Sequence, residues 1–433
     1  MAITVAAPAV PLPQRTIAKV TRRMVPYFFV LYIIAYIDRA NVAFAKLPMQ
    51  ADLGFSEAVF GLGAGIFFIG YFLLEIPGCL IIERWSARLW MSRIMISWGV
   101  CTILLGFIHT PRQFYIARFF LGLAEAGFFP GVIVFFTHWF PVRDRAKALA
   151  GFIQGVPISF VIGAPLSAWC LSLDWLDLAG WRWVFILQGI PAVVFGLVTP
   201  FYLTDRPKDA KWLKPEERDW LTSELRSEQA QKAAITGHLS VLAAMRQPYV
   251  LKLAATLWCA VLGNYATIIW MPTTIQKASG MSAAQSSLYS GLPFLLATLG
   301  VWFGGRSSDR SGERKLHAAI PLFLCGAFFA LSAIPGQPFA LVLMWLSLTG
   351  VMLWAWGPAY GTLPTLTLGQ SAAAASIGLI NSIGNLGGFF GPSIVGYLLA
   401  GSYPYWVAML FLSSGFFAAS AMVLSLKITP KAR

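Results

Sequence analysis

Met24–Lys46, MVPYFFVLYIIAYIDRANVAFAK, is a run of 23 residues that is apolar except for an acid, a base and an amide near its centre, Asp38, Arg39 and Asn41, and Lys46 at its end. About 20 residues of helix cross the hydrocarbon core of a bilayer, so the run has the length of a membrane span. A charged side chain inside a span costs roughly 2.5–3.5 kcal/mol on insertion scales, so such residues face a bundle interior and mark a working site by default. The plain alternative is a set of buried ion pairs that only hold helices together.

The rest of the chain extends this reading. Of its 433 residues 58% are hydrophobic and 12% charged, against about 25% charged in globular proteins. Twelve apolar runs of spanning length recur, at 24–46, 58–82, 90–109, 113–138, 146–171, 181–203, 250–275, 285–305, 316–334, 339–362, 373–400 and 405–426. The expected class is an all-α membrane protein. A β-barrel would need strands of about ten residues with alternating polarity, and nothing here alternates so. Residues 1–23 lack the apolar core of a signal peptide and read as a disordered tail.

A net charge of +14 could point to nucleic acid, but the charges do not form a patch. Of the 32 Lys and Arg, 26 lie in or beside the two chain ends and the connections after spans 2, 4, 6 and 8. Lys46, Arg112, Arg182 and Lys277 fall on the other side. By the positive-inside rule both termini are expected in the cytoplasm, in a multi-pass inner or plasma membrane protein. The polar stretch between spans 6 and 7 splits the chain into a tail (1–23), a six-helix bundle (24–203), a cytoplasmic linker (204–249), a second six-helix bundle (250–426) and a short tail (427–433). Within the linker, Pro215 followed by Glu216 and Glu217 reads as a helix start.

The two halves echo one another: the connection after span 2 reads GCLIIERWSAR and that after span 8 reads GGRSSDRSGER. In the second copy Gly305, Asp309, Arg310, Gly312 and Arg314 fit GxxxDRxGxR, and with twelve spans split six and six this resembles the major facilitator superfamily. YFFVLYIIAYIDRANVAFA, FFIGYFLLEIPG, FYIARFFLGLAEAGFFPGVIVFFTHWFPVRDRAKA and IGLINSIGNLGGFFGPSIVGYL are similar to its anion:cation symporter branch. The resemblance implies two pseudo-symmetric six-helix bundles and transport of an organic anion, such as tartrate, a sugar acid, phthalate or hydroxyphenylacetate, commonly with protons. It also implies protonation sites at the acids of spans 1 and 4, Asp38 and Glu125, and gating roles for the paired loops, here Arg84, Arg88, Asp309 and Arg310.

Five ionisable residues fall inside first-half spans: Asp38, Arg39, Glu75, Arg118 and Glu125. Asp38 and Arg39 are adjacent and point about 100° apart, so each needs its own partner. Arg118 and Glu125, seven apart, share a face with Gly122 between them, where a bulkier residue is expected to narrow the groove. One arrangement serves all four charges: Asp38 pairs with Arg118, and Arg39 faces the cavity near Glu125, where a substrate carboxylate competes for its planar fork. Asn41, three residues on from Asp38, is expected to support it. Glu75 reads as a gating residue or the partner of a loop arginine. Gln154, Asn264, Tyr265, Tyr360 and Asn381 are candidate substrate contacts, and Trp354 and Trp356 candidate pocket walls. Asn385 reads as a helix contact.

Three departures from the branch stand out. Gln188 and Gly189 replace an acid-glycine pair, Cys79 and Ser86 degrade the first gating loop, and Gly361 stands where relatives often carry Trp. The last leaves room for a larger substrate. No GxxxxGK[ST] loop for a nucleotide-driven pump occurs, and no clustered acid, base or metal set points to an enzyme. The cysteines have no metal spacing and the histidines are scattered, with His138 at an interface. The expected activity is proton-coupled symport of a carboxylate by alternating access, in a monomer, with no cofactor and no nucleic acid. The alternatives are a uniporter or exchanger, and a receptor that does not transport.

Overall fold

The computed structural model describes residues 11–235, 247–367 and 370–426. Residues 1–10 of the expected first tail, 236–246 of the expected linker and the whole expected second tail (427–433) lie outside the described residues. Twelve helices among those residues are long and apolar enough to cross a membrane. The first three are α1 (Leu12–Leu53), α2 (Glu57–Arg84) and α3 (Ala87–Leu105). Span 4 is α4 (Pro111–Glu125) with α5 (Phe128–Thr137), span 5 is α6 (Val142–Ile153) with α7 (Gly155–Leu171), and span 6 is α8 (Gly180–Tyr202). After the linker helix α9 (Pro215–Ile235) come α10 (Pro248–Ser279), α11 (Ala283–Ser311) and α12 (Lys315–Ser332). Span 10 is α13 (Phe339–Ala355) with α14 (Gly357–Thr367), span 11 is α15 (Gln370–Asn385) with α16 (Gly387–Ala400), and α17 (Tyr405–Leu424) is last.

Helix starts follow their sequences. Thr110 with Gln113 and Ser282 with Gln285 form capping boxes at α4 and α11, each satisfying backbone N–H groups that the helix leaves open. Pro215 opens α9 with Glu216 and Glu217 in its first turn, as its sequence predicts. Helix 1 departs from its expected bounds. It begins at Leu12, inside the stretch read as a tail, and runs on through Pro48 until Gly54 closes it at φ 67°. The early turns are polar but helix-compatible, and a helix does not stop at the bilayer edge.

Span 4 breaks just after Glu125, where Gly127 takes φ 85°, a conformation that a Cβ makes costly. Spans 5, 10 and 11 are interrupted more gently, at Gln154, Trp356 and Leu386, which all keep right-handed helical angles.

The linker helix packs on one face of the bundle, called here the linker face. Arg15 and Lys19 of α1 pair with Glu216 and Glu217 at 2.5 and 3.0 Å. Glu228 accepts the Val142 N–H at 3.0 Å, and Trp212 stacks on Trp139. Burial pushes the Glu217 carboxyl up, but the Lys214 N–H, Lys19 and Arg15 outweigh it and hold the carboxyl below its usual range. The contribution of this clasp is therefore present at neutral pH and lost only as pH falls through that lowered value.

At the opposite face the halves touch closely. A Cβ on Gly61 would meet the Gly396 Cα at 2.8 Å, and Phe160 of α7 stacks on Phe294 of α11 at 4.4 Å. On the linker-face side α1, α5 and α7 part from α11, α13 and α14 around a chamber of about 490 Å³. It is lined by Tyr32, Tyr36, Phe129, Gln154, Trp354 and Gly361, among others.

Candidate functional site at the meeting of the halves

Helix 1 carries two polar faces, and they serve different neighbours. Tyr32, Tyr36, Arg39 and Lys46 recur at spacings of four, three and seven, which sets them along one stripe. That stripe looks toward the second half. Asp38 and Asn41 lie on another face and look toward α3.

Arg39 is the hub of the first stripe. Its Nε donates to Glu125 Oε1 at 2.5 Å and an NH group donates to the Tyr265 hydroxyl of α10 at 3.0 Å. The guanidinium carbon lies 5.1 Å from the ring centres of both Tyr36 and Tyr71, within the range of a cation–π contact. One arginine thus joins α1 and α4 of the first half to α10 of the second. Its side chain keeps 14% exposure, whereas Glu125 keeps 2%.

Asp38 is satisfied without an arginine. Asn41 Nδ2 donates to one oxygen at 2.8 Å and the Thr102 hydroxyl of α3 to the other at 2.6 Å. The expected Asp38–Arg118 pair is therefore not formed. Arg118 donates instead to the backbone carbonyls of Gly63 and Ala64 in α2, both at 3.2 Å. The reason is Gly122. It does not widen a groove as expected; its missing Cβ lets α4 close onto α2 at the Phe67 carbonyl, which brings α2's carbonyls within reach of Arg118. Even so, Asp38, Arg39, Arg118 and Glu125 border one void of about 10 Å³, about the room one water needs.

The other candidates separate into three groups. Gln154, at the break in span 5, lines the chamber with Trp354, as does Gly361, whose missing side chain faces open space. Asn381 of α15 is half-buried. Asn264 is buried, and its Oδ1 has no hydrogen-bond partner among the described residues. The Tyr360 hydroxyl is already committed, donating to the Leu253 carbonyl at 2.6 Å, and Trp356 donates to the Leu353 carbonyl at 2.8 Å. The first ties α14 to α10 and the second is local to the break in span 10, so neither offers its polar atom to a ligand.

The gating candidates also divide. Glu75 hydrogen-bonds Ser382 and Asn385 of α15, so it reaches across to the second half; Arg84's side chain lies outside the described residues. Arg88 binds Asp205 through its backbone N–H at 2.9 Å and its Nε at 3.3 Å, which bolts α3 to the end of α8 inside the first half. Asp309 pairs with Arg314 at 2.6 Å across the ends of α11 and α12, and Arg310 is exposed.

Sequence reasoning missed Lys46, which it placed outside the membrane. Fully buried, it pairs with Glu57 at 2.9 Å, donates to Thr273 of α10 at 3.3 Å and sits 4.4 Å from the Trp270 ring centre. The charge spacing held a clue, since Lys46 is two helical turns beyond Arg39 on the same stripe. For Thr102 no signal existed; it is one hydroxyl in an apolar helix.

The model of the Major Facilitator Superfamily matches residues 28–392. A proposed tartrate transporter of Agrobacterium vitis is 43% identical over 409 residues, covering 93% of this chain and 90% of the relative. A quinolone resistance transporter of Acinetobacter baumannii is 39% identical over 403 residues, covering 91% and 92%. Among solved structures, a bacterial homologue of the human lysosomal transporter Spinster in an inward-facing, occupied conformation aligns with a TM-score of 0.75 at 16% identity, over 92% of this chain and 95% of that one. That likeness is one of fold. Twelve spans, the charged core of helix 1 and the match across most of the chain agree: this is a multi-pass transporter that belongs to the Major Facilitator Superfamily and sides with its anion:cation symporter branch.

Proposed function

We propose that the protein carries an organic anion across the membrane together with a proton, by alternating access between two six-helix halves (24–203 and 250–426). The observation that carries this reading is the Arg39–Glu125 pair, placed where α10 of the second half also reaches in through Tyr265. A substrate carboxylate entering from the linker-face chamber meets the aromatic wall of Tyr36 and then the edge of Arg39. When it takes part of the guanidinium, Glu125 loses its counter-ion in a place of low polarity and accepts a proton. Anion and proton are then bound as one thermodynamic unit. Asp38, across the shared void, is the second carboxylate available to that proton, and Arg118 adds a second guanidinium beside it.

Alternation is supported by the contrast between faces. Lys46, Glu57, Thr273 and the glycine contacts of α2 with α16 close one side while the chamber occupies the other. Both termini are assigned to the cytoplasm and the protein to the inner membrane, as a monomer. The test is counterflow of a labelled carboxylate in proteoliposomes, with and without an imposed pH gradient. Accumulation indifferent to the gradient would leave a uniporter or exchanger, and no counterflow of any carboxylate in a broad panel would leave a receptor.

The chamber also bears on which carboxylate. One relative is named for tartrate, a small polyhydroxy acid, and another for quinolones, which are flat aromatic compounds. The apolar lining and the open space at Gly361 favour a carboxylate with a sizeable ring or hydrocarbon body. Gly361→Trp fills that space. It is expected to weaken competition by aromatic acids at least tenfold while changing competition by tartrate little, read as inhibition of labelled uptake across a size series. Equal effects on both classes would remove Gly361 as a determinant.

A further inference from the structure

A second cavity lies away from the transport path, on the linker face between the first half and the linker helix. It measures about 210 Å³ and is lined by His138, Arg206, Pro207, Lys208, Thr222, Leu225 and Arg226. Three elements build it: the end of α5, the segment after α8, and α9. Each contributes a polar group.

Its polar atoms are unspent. His138 is 8% exposed and its Nδ1 has no hydrogen-bond partner among the described residues. The buried Thr222 hydroxyl likewise has none. No described acid lies within ion-pair distance of Arg206, Lys208 or Arg226, and two acids of this face are engaged elsewhere. Asp205 is held by Arg88 and Ser86, and Glu228 by the Val142 N–H. Burial, then Arg206, pushes the His138 imidazole down to about 4 despite the opposing pull of Asp205, with Arg145 also lowering it. At neutral pH the ring is uncharged and offers one N–H donor to a strongly positive hollow.

Three cationic side chains, a hydroxyl and a ring nitrogen converging on one hollow match the acceptor oxygens of a phosphate group. The position adds a second constraint. The end of α8 immediately before the site presents Phe201, 90% exposed, and Leu197, 57% exposed. Those side chains belong in the bilayer, so Arg206 stands at headgroup depth, where basic pockets hold anionic lipids.

We infer that this cavity is a binding site for a phosphate group, supplied by an anionic phospholipid headgroup or by free phosphate, that fastens the linker helix to the first half. Its occupation does not depend on what the carrier transports.

The full-length protein in neutral detergent supplies the test, with thermal unfolding as readout. Inorganic phosphate is titrated against chloride at constant ionic strength, and in parallel phosphatidylglycerol is titrated against phosphatidylcholine in mixed micelles. A saturable upward shift in Tm with phosphatidylglycerol alone assigns the site to a lipid headgroup; shifts with both probes assign it to the phosphate group itself. The double variant R206Q/R226Q, at two partly or fully exposed positions without ion pairs, is expected to raise the half-saturating concentration at least tenfold. Thr222→Val, which leaves every charge in place, is expected to raise it severalfold, as a diffuse basic surface would not. The inference is overturned if neither probe exceeds its control in the wild type, or if both variants respond as the wild type does. The wild-type arms decide alone should a variant fail to fold.

Discussion

Arg39→Lys will raise the KM for the transported acid about 10- to 100-fold in a protein that still folds and inserts. The substitution keeps a positive charge beside Glu125, so the costly outcome of an unpaired buried carboxylate, about 3–5 kcal/mol, is avoided. What it removes is geometry. Arg39 reaches Glu125 through Nε and Tyr265 through a separate NH group, and a planar fork can serve a third acceptor in the same plane. An ammonium on a flexible stem is a point charge and cannot hold all three in register. A hydrogen bond to a charged group contributes roughly 1.5–3 kcal/mol, and 1.4 kcal/mol is about a factor of ten in affinity. Initial uptake rates against substrate concentration in proteoliposomes measure the shift, with Tm as the control for folding. An unchanged KM would show that the anion docks elsewhere.

Glu125→Gln will abolish accumulation driven by a pH gradient while sparing exchange of labelled for unlabelled substrate. Glutamine fills the same space and accepts a hydrogen bond from Arg39, so the anion can still bind and cross, but no proton is carried. Loss of accumulation to the level of empty liposomes, with counterflow within about threefold of wild type, is the expected pair of results. Asp38→Asn separates the two acids. Asp38 accepts from Asn41 and Thr102 and faces no guanidinium directly, so this variant should bind substrate normally and alter only the pH dependence. Undiminished proton-driven uptake by the Glu125 variant would refute the coupling scheme and pass the role to Asp38.

The spans and the cluster at their centre were legible because membrane burial makes charge expensive and therefore conspicuous. Arg39 and Glu125 could be brought together on paper from helix periodicity and direction alone. Arg118 could not be placed correctly, because its partners are backbone carbonyls, and no sequence shows which carbonyls a close helix contact will present. Gly122 was visible but ambiguous, since a small residue both opens a groove and permits contact. Lys46 stands at the end of the apolar run and reads as an outer charge, but the helix carries on through Pro48 to Leu53. The break after Glu125 depends on Gly127 and is drawn by a backbone angle that hydropathy does not see.

The attachment of α9 has a use beyond architecture. All its described salt bridges run to the first half: Glu216 and Glu217 to α1, Glu224 to Arg143. During a transport cycle it should ride with that half as a passenger. A pair of spin labels at Ser223 and Ser311, both exposed, will therefore act as a ruler for the motion, lengthening and shortening as substrate and proton gradient change. A pair at Ser223 and Gln14 will read one fixed distance throughout, and if it broadens instead, the helix is a moving part in its own right.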